Sequence, residues 1–170
     1  AVEALYLAGG LAAQGLATVA FSATGHGPDA ATATFLRELL EPTCYARSLS
    51  TALHTRSRDV DGDGEPLDDV GGDSLDGRPA RIRDVVRQTA LDVFAVARAL
   101  RATGGETAPL ETDFDGDGQR DVGGPTTRVS VFGRSLGGAA AILAGPLSPE
   151  LAAVAALGAP GTMIDPWLRT

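Results

Sequence analysis

The chain has 170 residues and a formal net charge of −8 at pH 7. That length suffices for one domain with a real core, and no apolar run reaches the roughly 18 unbroken residues of a membrane-spanning helix. All of the positive charge is arginine, and the acids are concentrated: residues 59–76 hold eight acids and no base, residues 111–121 hold five acids and Arg120, and the remainder is net positive. Acidity of this kind argues against a nucleic-acid partner and points to cations at two loops. We expect a single domain over 1–170, with acidic insertions at about 59–76 and 111–124. Cys44 is the lone cysteine, which rules out an intrachain disulfide and reads as a small apolar residue rather than a reactive thiol.

In chain order, residues 1–16 carry Val2, Leu5, Leu7, Leu11 and Leu16 at helical spacing around Gly9 and Gly10, which predicts a helix weakened or bent by the glycine pair. Residues 17–23 form an apolar run between Gly15 and Thr24-Gly25, the pattern of a strand buried on both faces. A tight Gly25-His26-Gly27-Pro28 loop follows. His26 sits at that strand's carboxyl end, where sites form in α/β sheets. With no partner in the spacing, its expected role is to brace the turn through its ring nitrogens. Asp29 is the expected N-cap of a helix over 30–40, ended by Pro42. Residues 42–58, with Cys44, Tyr45 and His54, are irregular and read as an excursion or lid, with His54 on the surface.

The clearest helix is 78–103, where Ile82, Val85, Val86, Thr89, Val93, Val96 and Leu100 recur at three- and four-residue steps opposite arginines and aspartates. That stripe is core. Residues 129–132 predict a short strand. Gly133-Arg134-Ser135-Leu136-Gly137 follows as G-x-S-x-G, then a small-residue helix over 138–144 that stops at Gly145-Pro146. A strand, a sharp glycine-flanked turn and a helix are the context in which this motif presents a nucleophilic serine, with the backbone N–H of Leu136 as an oxyanion donor. The competing reading is a glycine-rich turn whose serine merely caps the helix. Residues 151–157 read as a further buried strand. The alternation of apolar strands and helices predicts an α/β fold: an open, mostly parallel sheet with helices on both faces.

The two acidic loops repeat one device. Asp59, Asp61 and Asp63 in the first match Asp113, Asp115 and Asp117 in the second, and both run on into Asp-Val-Gly-Gly. Carboxylates at alternate positions followed by glycine wrap hard oxygens around one Ca²⁺. The second loop fits positions 1, 3, 5, 6 and 9 of that pattern through Asp113, Asp115, Asp117, Gly118 and Asp121. Neither loop is an EF-hand, because position 12 is Val70 in one and Gly124 in the other rather than glutamate. Asp68, Asp69 and Asp73 are spare ligands for the first. The expected cofactor is structural calcium, since packed carboxylates without a cation repel. The bland alternative is a pair of solvated acidic loops.

Together these stretches resemble the α/β-hydrolase superfamily, specifically bacterial lipase- or esterase-like proteins with calcium-type loops inserted. Residues 129–138 match the nucleophile elbow. Residues 11–27 look like the family's helix, strand and Gly-His-Gly loop. Residues 81–101 resemble the helix before the elbow strand, and 153–161 the following strand with its Ala-Pro-Gly end. The resemblance implies Ser135 as nucleophile on a small-molecule or lipid ester, Leu136 N–H as oxyanion donor, and a histidine base oriented by an acid. The family order is serine, acid, histidine. Here no histidine follows Ser135, only Glu150 and Asp165 follow as acids, and His26 and His54 precede it. The chain therefore reads as the middle of a hydrolase domain, with the base and the other oxyanion loop outside it. The second functional reading is a non-catalytic, calcium-stabilised extracellular module with the same fold. Calcium-type loops place either protein outside a bacterial cell or in its envelope, where free calcium suits weak sites.

Overall fold

The computed structural model describes residues 2–42, 56, 63–64, 79–103, 112–113 and 116–161. The elements in order are α1 (Val2–Ala12), α2 (Ala30–Leu40), α3 (Pro79–Ala102), β1 (Val129–Arg134), α4 (Leu136–Ala144), a 3-10 turn (Gly145–Leu147) and β2 (Leu151–Leu157). Helices and a two-stranded parallel sheet make the architecture a mixture of α and β. No helix among the described residues is long and apolar enough to cross a membrane. The chain divides into two compact units, Ala1–Val85 and Val86–Thr170, with the division falling inside α3.

In the first unit, α1 runs unbroken through Gly9 and Gly10, so the glycine pair does not interrupt it. It ends where Gly15 takes φ 74°. There Leu16 N–H donates to the Leu11 carbonyl at 3.0 Å and Gly15 N–H to that of Ala12 at 2.9 Å, the paired bonds of a Schellman cap. α2 begins as its sequence predicts: the Asp29 carboxylate accepts from Thr32 N–H at 2.7 Å. That bond, then the Thr32 hydroxyl, holds the Asp29 carboxyl below its ordinary pKa. Ala33 and Leu36 supply the buried face of α2.

The expected strand over 17–23 is not formed. Residues 17–20 are exposed, 21–23 half-buried, and the segment carries no ladder. An apolar run specifies a strand only where a neighbour takes its backbone groups, and three of its seven residues are alanine, which offers little to a pleated surface.

In the second unit, α3 buries Val86, Thr89, Ala90, Val93 and Ala97 on one stripe, as its periodicity dictates. β1 alternates half-buried and exposed positions up to a buried Gly133. It pairs with β2 in parallel, from Val129 opposite Leu151 to Arg134 opposite Leu157, with a register shift between Val129 and Ser130. Parallel neighbours need a long crossover, and α4 with the 3-10 turn supplies it. α4 buries Gly138, Ala140, Ala141 and Ala144, a small-residue face that lets helix and sheet approach closely. A Cβ on Gly145 would stand 2.5 Å from Val154 Cγ2, so the helix end also requires its glycine. β2 has the predicted span, but its residues after Leu151 are exposed rather than buried. One partner strand and one short helix of small residues cannot cover two faces of a seven-residue strand.

Candidate functional site

Ser135 stands between β1 and α4. Its N–H donates to the Leu157 carbonyl at 2.9 Å, carrying the ladder one residue past Arg134. Its carbonyl accepts from Ala139 N–H at 3.1 Å, starting the helix. Between these two anchors the chain reverses within one residue, and Ser135 takes φ 53°, ψ −120°. It is the one non-glycine residue at positive φ among those described. These angles match the first central residue of a type II′ turn, a position normally given to glycine. A side chain held there costs about 1–3 kcal/mol, a cost that clusters at functional sites.

The serine is exposed, and it makes no side-chain cap bond to α4. A capping serine has extended backbone and an oxygen turned onto the N2 or N3 N–H; Ser135 has neither. The helix-cap reading of this residue fails on both counts. Leu136 is the first residue of α4 and half-buried. An N–H in a first helical turn has no intrahelical acceptor.

The glycines contribute unequally. A Cβ on Gly133 would fall onto the carbonyl of Gly137 and lie 2.7 Å from Gly138 N. A Cβ on Gly138 would meet Ala159 Cβ at 3.0 Å and the Gly133 carbonyl oxygen at 3.2 Å. Around the Cβ position of Gly137 no described residue beyond its own helix turn and chain neighbours lies within 4 Å. The turn is therefore tight on both flanks of the serine, at Gly133 before it and, after it, at Gly138 rather than at the motif's own second glycine, Gly137. Adjacent glycines at 137 and 138 look alike in sequence; the contact that separates them comes from Ala159.

The second acidic loop is built around Asp113. Its Oδ1 accepts from Gly116 N–H at 2.7 Å and its Oδ2 from Gly118 N–H at 3.0 Å. Gly116 and Gly118 both have positive φ, 80° and 84°. Asp117 accepts from Gln119 N–H at 2.7 Å, and Asp121 N–H closes the loop onto the Thr112 carbonyl at 3.0 Å. The tail is pinned to the end of α3. Gly124 N–H donates to the Leu100 carbonyl at 2.7 Å, and Arg101 reaches the Pro125 carbonyl at 2.9 Å. A Cβ on Gly123 would fall onto the Thr103 hydroxyl and the Leu100 carbonyl, while one on Gly124 would meet only the movable guanidinium of Arg120.

Of the proposed calcium ligands, Asp63, Asp113, Asp117 and Asp121 are described, while Asp59, Asp61 and Asp115 lie outside the described residues. Among the described residues no three acidic, histidine or cysteine side chains converge on one point.

His26 keeps the structural role expected of it: Nδ1 lies 3.3 Å from the Thr24 carbonyl, two residues back. Sequence reasoning missed its neighbour. Arg56 donates to the Ser22 carbonyl at 2.9 Å and the Thr24 hydroxyl at 3.1 Å. Its backbone also bonds Gly25 and His26, at 3.0 and 3.1 Å. No pattern flags an arginine 30 residues downstream as the clamp on a loop. His54 and Cys44 lie outside the described residues.

Compared with known proteins, the chain matches no family, no curated protein and no solved structure.

Proposed function

We propose that the chain carries the nucleophile of a serine hydrolase acting on carboxylic esters, lipase- or esterase-like, on an α/β-hydrolase core with an open, mostly parallel sheet. The observation that carries this reading is the conformation of Ser135. It is an exposed serine at φ 53°, ψ −120° between strand and helix, with its hydroxyl unused by the helix it precedes. A chain that needed only a turn would place glycine there.

In this reading Ser135 Oγ attacks the ester carbonyl carbon, and its proton passes to a base. The carbonyl oxygen becomes an oxyanion held by Leu136 N–H at the positive end of α4. Collapse expels the alcohol and leaves an acyl-serine, which water then hydrolyses. Ser135 N–H is committed to Leu157, so the donor that this turn supplies is Leu136. The proposal assigns the nucleophile and one oxyanion donor to this chain. It assigns no base.

Calcium in a structural role belongs to the same proposal, at Asp113, Asp115, Asp117 and Asp121 and at Asp59, Asp61 and Asp63. The described part of the second loop fits it: Asp113 spends one lone pair of each oxygen on the loop's N–H groups and keeps the others for a cation. Bound there, calcium would neutralise the carboxylates of a loop whose tail is fixed to α3. Such loops favour a secreted or envelope location, and the acidic balance argues against nucleic acid as a partner.

The test is covalent labelling of the full-length protein with a fluorophosphonate probe. Labelling that disappears in Ser135→Ala supports the hydrolase. A folded parent protein that takes no label sinks it, in favour of the non-catalytic calcium-stabilised module.

A further inference from the structure

Among the described residues β2 pairs along one edge, with β1, and residues 152–157 are all exposed. The Leu157 carbonyl accepts from Ser135 N–H, so Leu157 turns its backbone groups toward β1. The register is regular from Ala153 to Leu157. Alternation along the strand then turns the groups of Ala153 and Ala155 the same way, and those of Val154 and Ala156 toward the other edge. Such an edge is commonly guarded by lysine, proline or extreme shortness. β2 is 7 residues long and carries neither charge nor proline.

Its sequence, Leu-Ala-Ala-Val-Ala-Ala-Leu, reads the same in both directions about Val154. Antiparallel pairing with a second copy about that residue sets Leu151 against Leu157, Ala152 against Ala156, Ala153 against Ala155, and Val154 against itself. The centre of the palindrome is also a residue whose backbone groups point outward. In this register the N–H and carbonyl of Val154 in each copy bond those of the other. A slip of one residue would set outward groups against inward ones and lose those bonds. No like charges meet, because Glu150 falls opposite Gly158 and is already paired with Arg98 at 3.4 Å.

We propose that the outer edge of β2 is the contact between two copies of this chain, joined antiparallel about Val154 by a two-fold axis into one continuous sheet. The partner is a second copy because the strand is complementary to itself in both side chains and backbone. Seven residues a side fall short of the roughly 20–30 of a stable interface, so the dimer dissociates on dilution. This inference stands apart from the hydrolase reading.

The experiment is sedimentation velocity of the full-length protein over a range of concentrations, with two double variants at exposed positions. Ala153→Lys with Ala155→Lys sets like charges directly across the two-fold contact. Ala153→Lys with Ala155→Glu sets opposite charges there. The parent's weight-average mass should rise with concentration toward twice that of one chain. The Lys/Glu variant should follow it, and the Lys/Lys variant should stay at the mass of one chain. Melting temperatures at the lowest concentration, where all three are monomers, check that the variants fold. A parent that is monomeric at every concentration overturns the proposal, and leaves the edge to a strand of the same chain. A Lys/Lys variant that dimerises like the parent, or a folded Lys/Glu variant that does not, overturns it as well.

Discussion

Replacing the serine by glycine should make the protein more stable than replacing it by alanine. Alanine keeps the Cβ that φ 53°, ψ −120° penalises and removes only a hydroxyl that makes no cap bond. Glycine removes the Cβ as well. The strain at such a position is about 1–3 kcal/mol, and the extra freedom of glycine in the unfolded chain returns about 0.4–1 kcal/mol. The difference in favour of Ser135→Gly is then about 1–2 kcal/mol. At about 2–4 °C per kcal/mol for a chain of this size, Ser135→Gly should melt about 2–8 °C above Ser135→Ala. Thermal unfolding of the two variants side by side, by circular dichroism, measures it, and neither carries the hydroxyl, so no reaction of the serine enters the comparison. A glycine variant that melts at or below the alanine variant would falsify the strained geometry, and with it the observation on which the nucleophile rests.

Gly133→Ala should lower stability by about 1–3 kcal/mol, the usual cost of forced overpacking, because its Cβ meets the backbone of Gly137 and Gly138; an unchanged melting temperature with full fluorophosphonate labelling would contradict the elbow packing. Calcium should raise the melting temperature, with about 2.7 kcal/mol of added stability at a concentration about 100 times the dissociation constant, and Asp113→Ala should blunt the response. No shift at millimolar calcium leaves the acidic loops as solvated loops. Asp29 supplies the pH dependence of α2. Its folded pKa is depressed by the Thr32 N–H, so its contribution is present in full above about pH 4 and is lost as pH falls through the lowered value. Helix content over 30–40, followed by amide exchange on acidification, should fall less steeply in Asp29→Asn, which caps without titrating.

Local signals were legible wherever they were self-contained. Asp29 as cap, the helix over 30–40, the apolar stripe of α3 and the strand–turn–helix around Ser135 each depend on residues a few positions apart, so their spacing states them. The run 17–23 shows the limit. Its composition suits a buried strand, yet strand formation depends on a partner's backbone groups, and those are not written in the run itself. Burial of β2 failed for the same reason: its span follows from its residues, its exposure from what packs on it.

The sequence by itself determined that a serine stands between glycines at a strand-to-helix junction, and that two acidic loops share one pattern. Tertiary structure decided what those residues do in space. It put Ser135 at positive φ, because its N–H is held by Leu157 while its carbonyl starts α4. It made Gly133 and Gly138, rather than Gly137, the tight positions. It also set Arg56 on the loop of His26. At Ser135, Gly138 and Arg56 the deciding contact joins separated segments, with Leu157, Ala159 and residues 22–26 in turn, and periodicity does not carry such contacts.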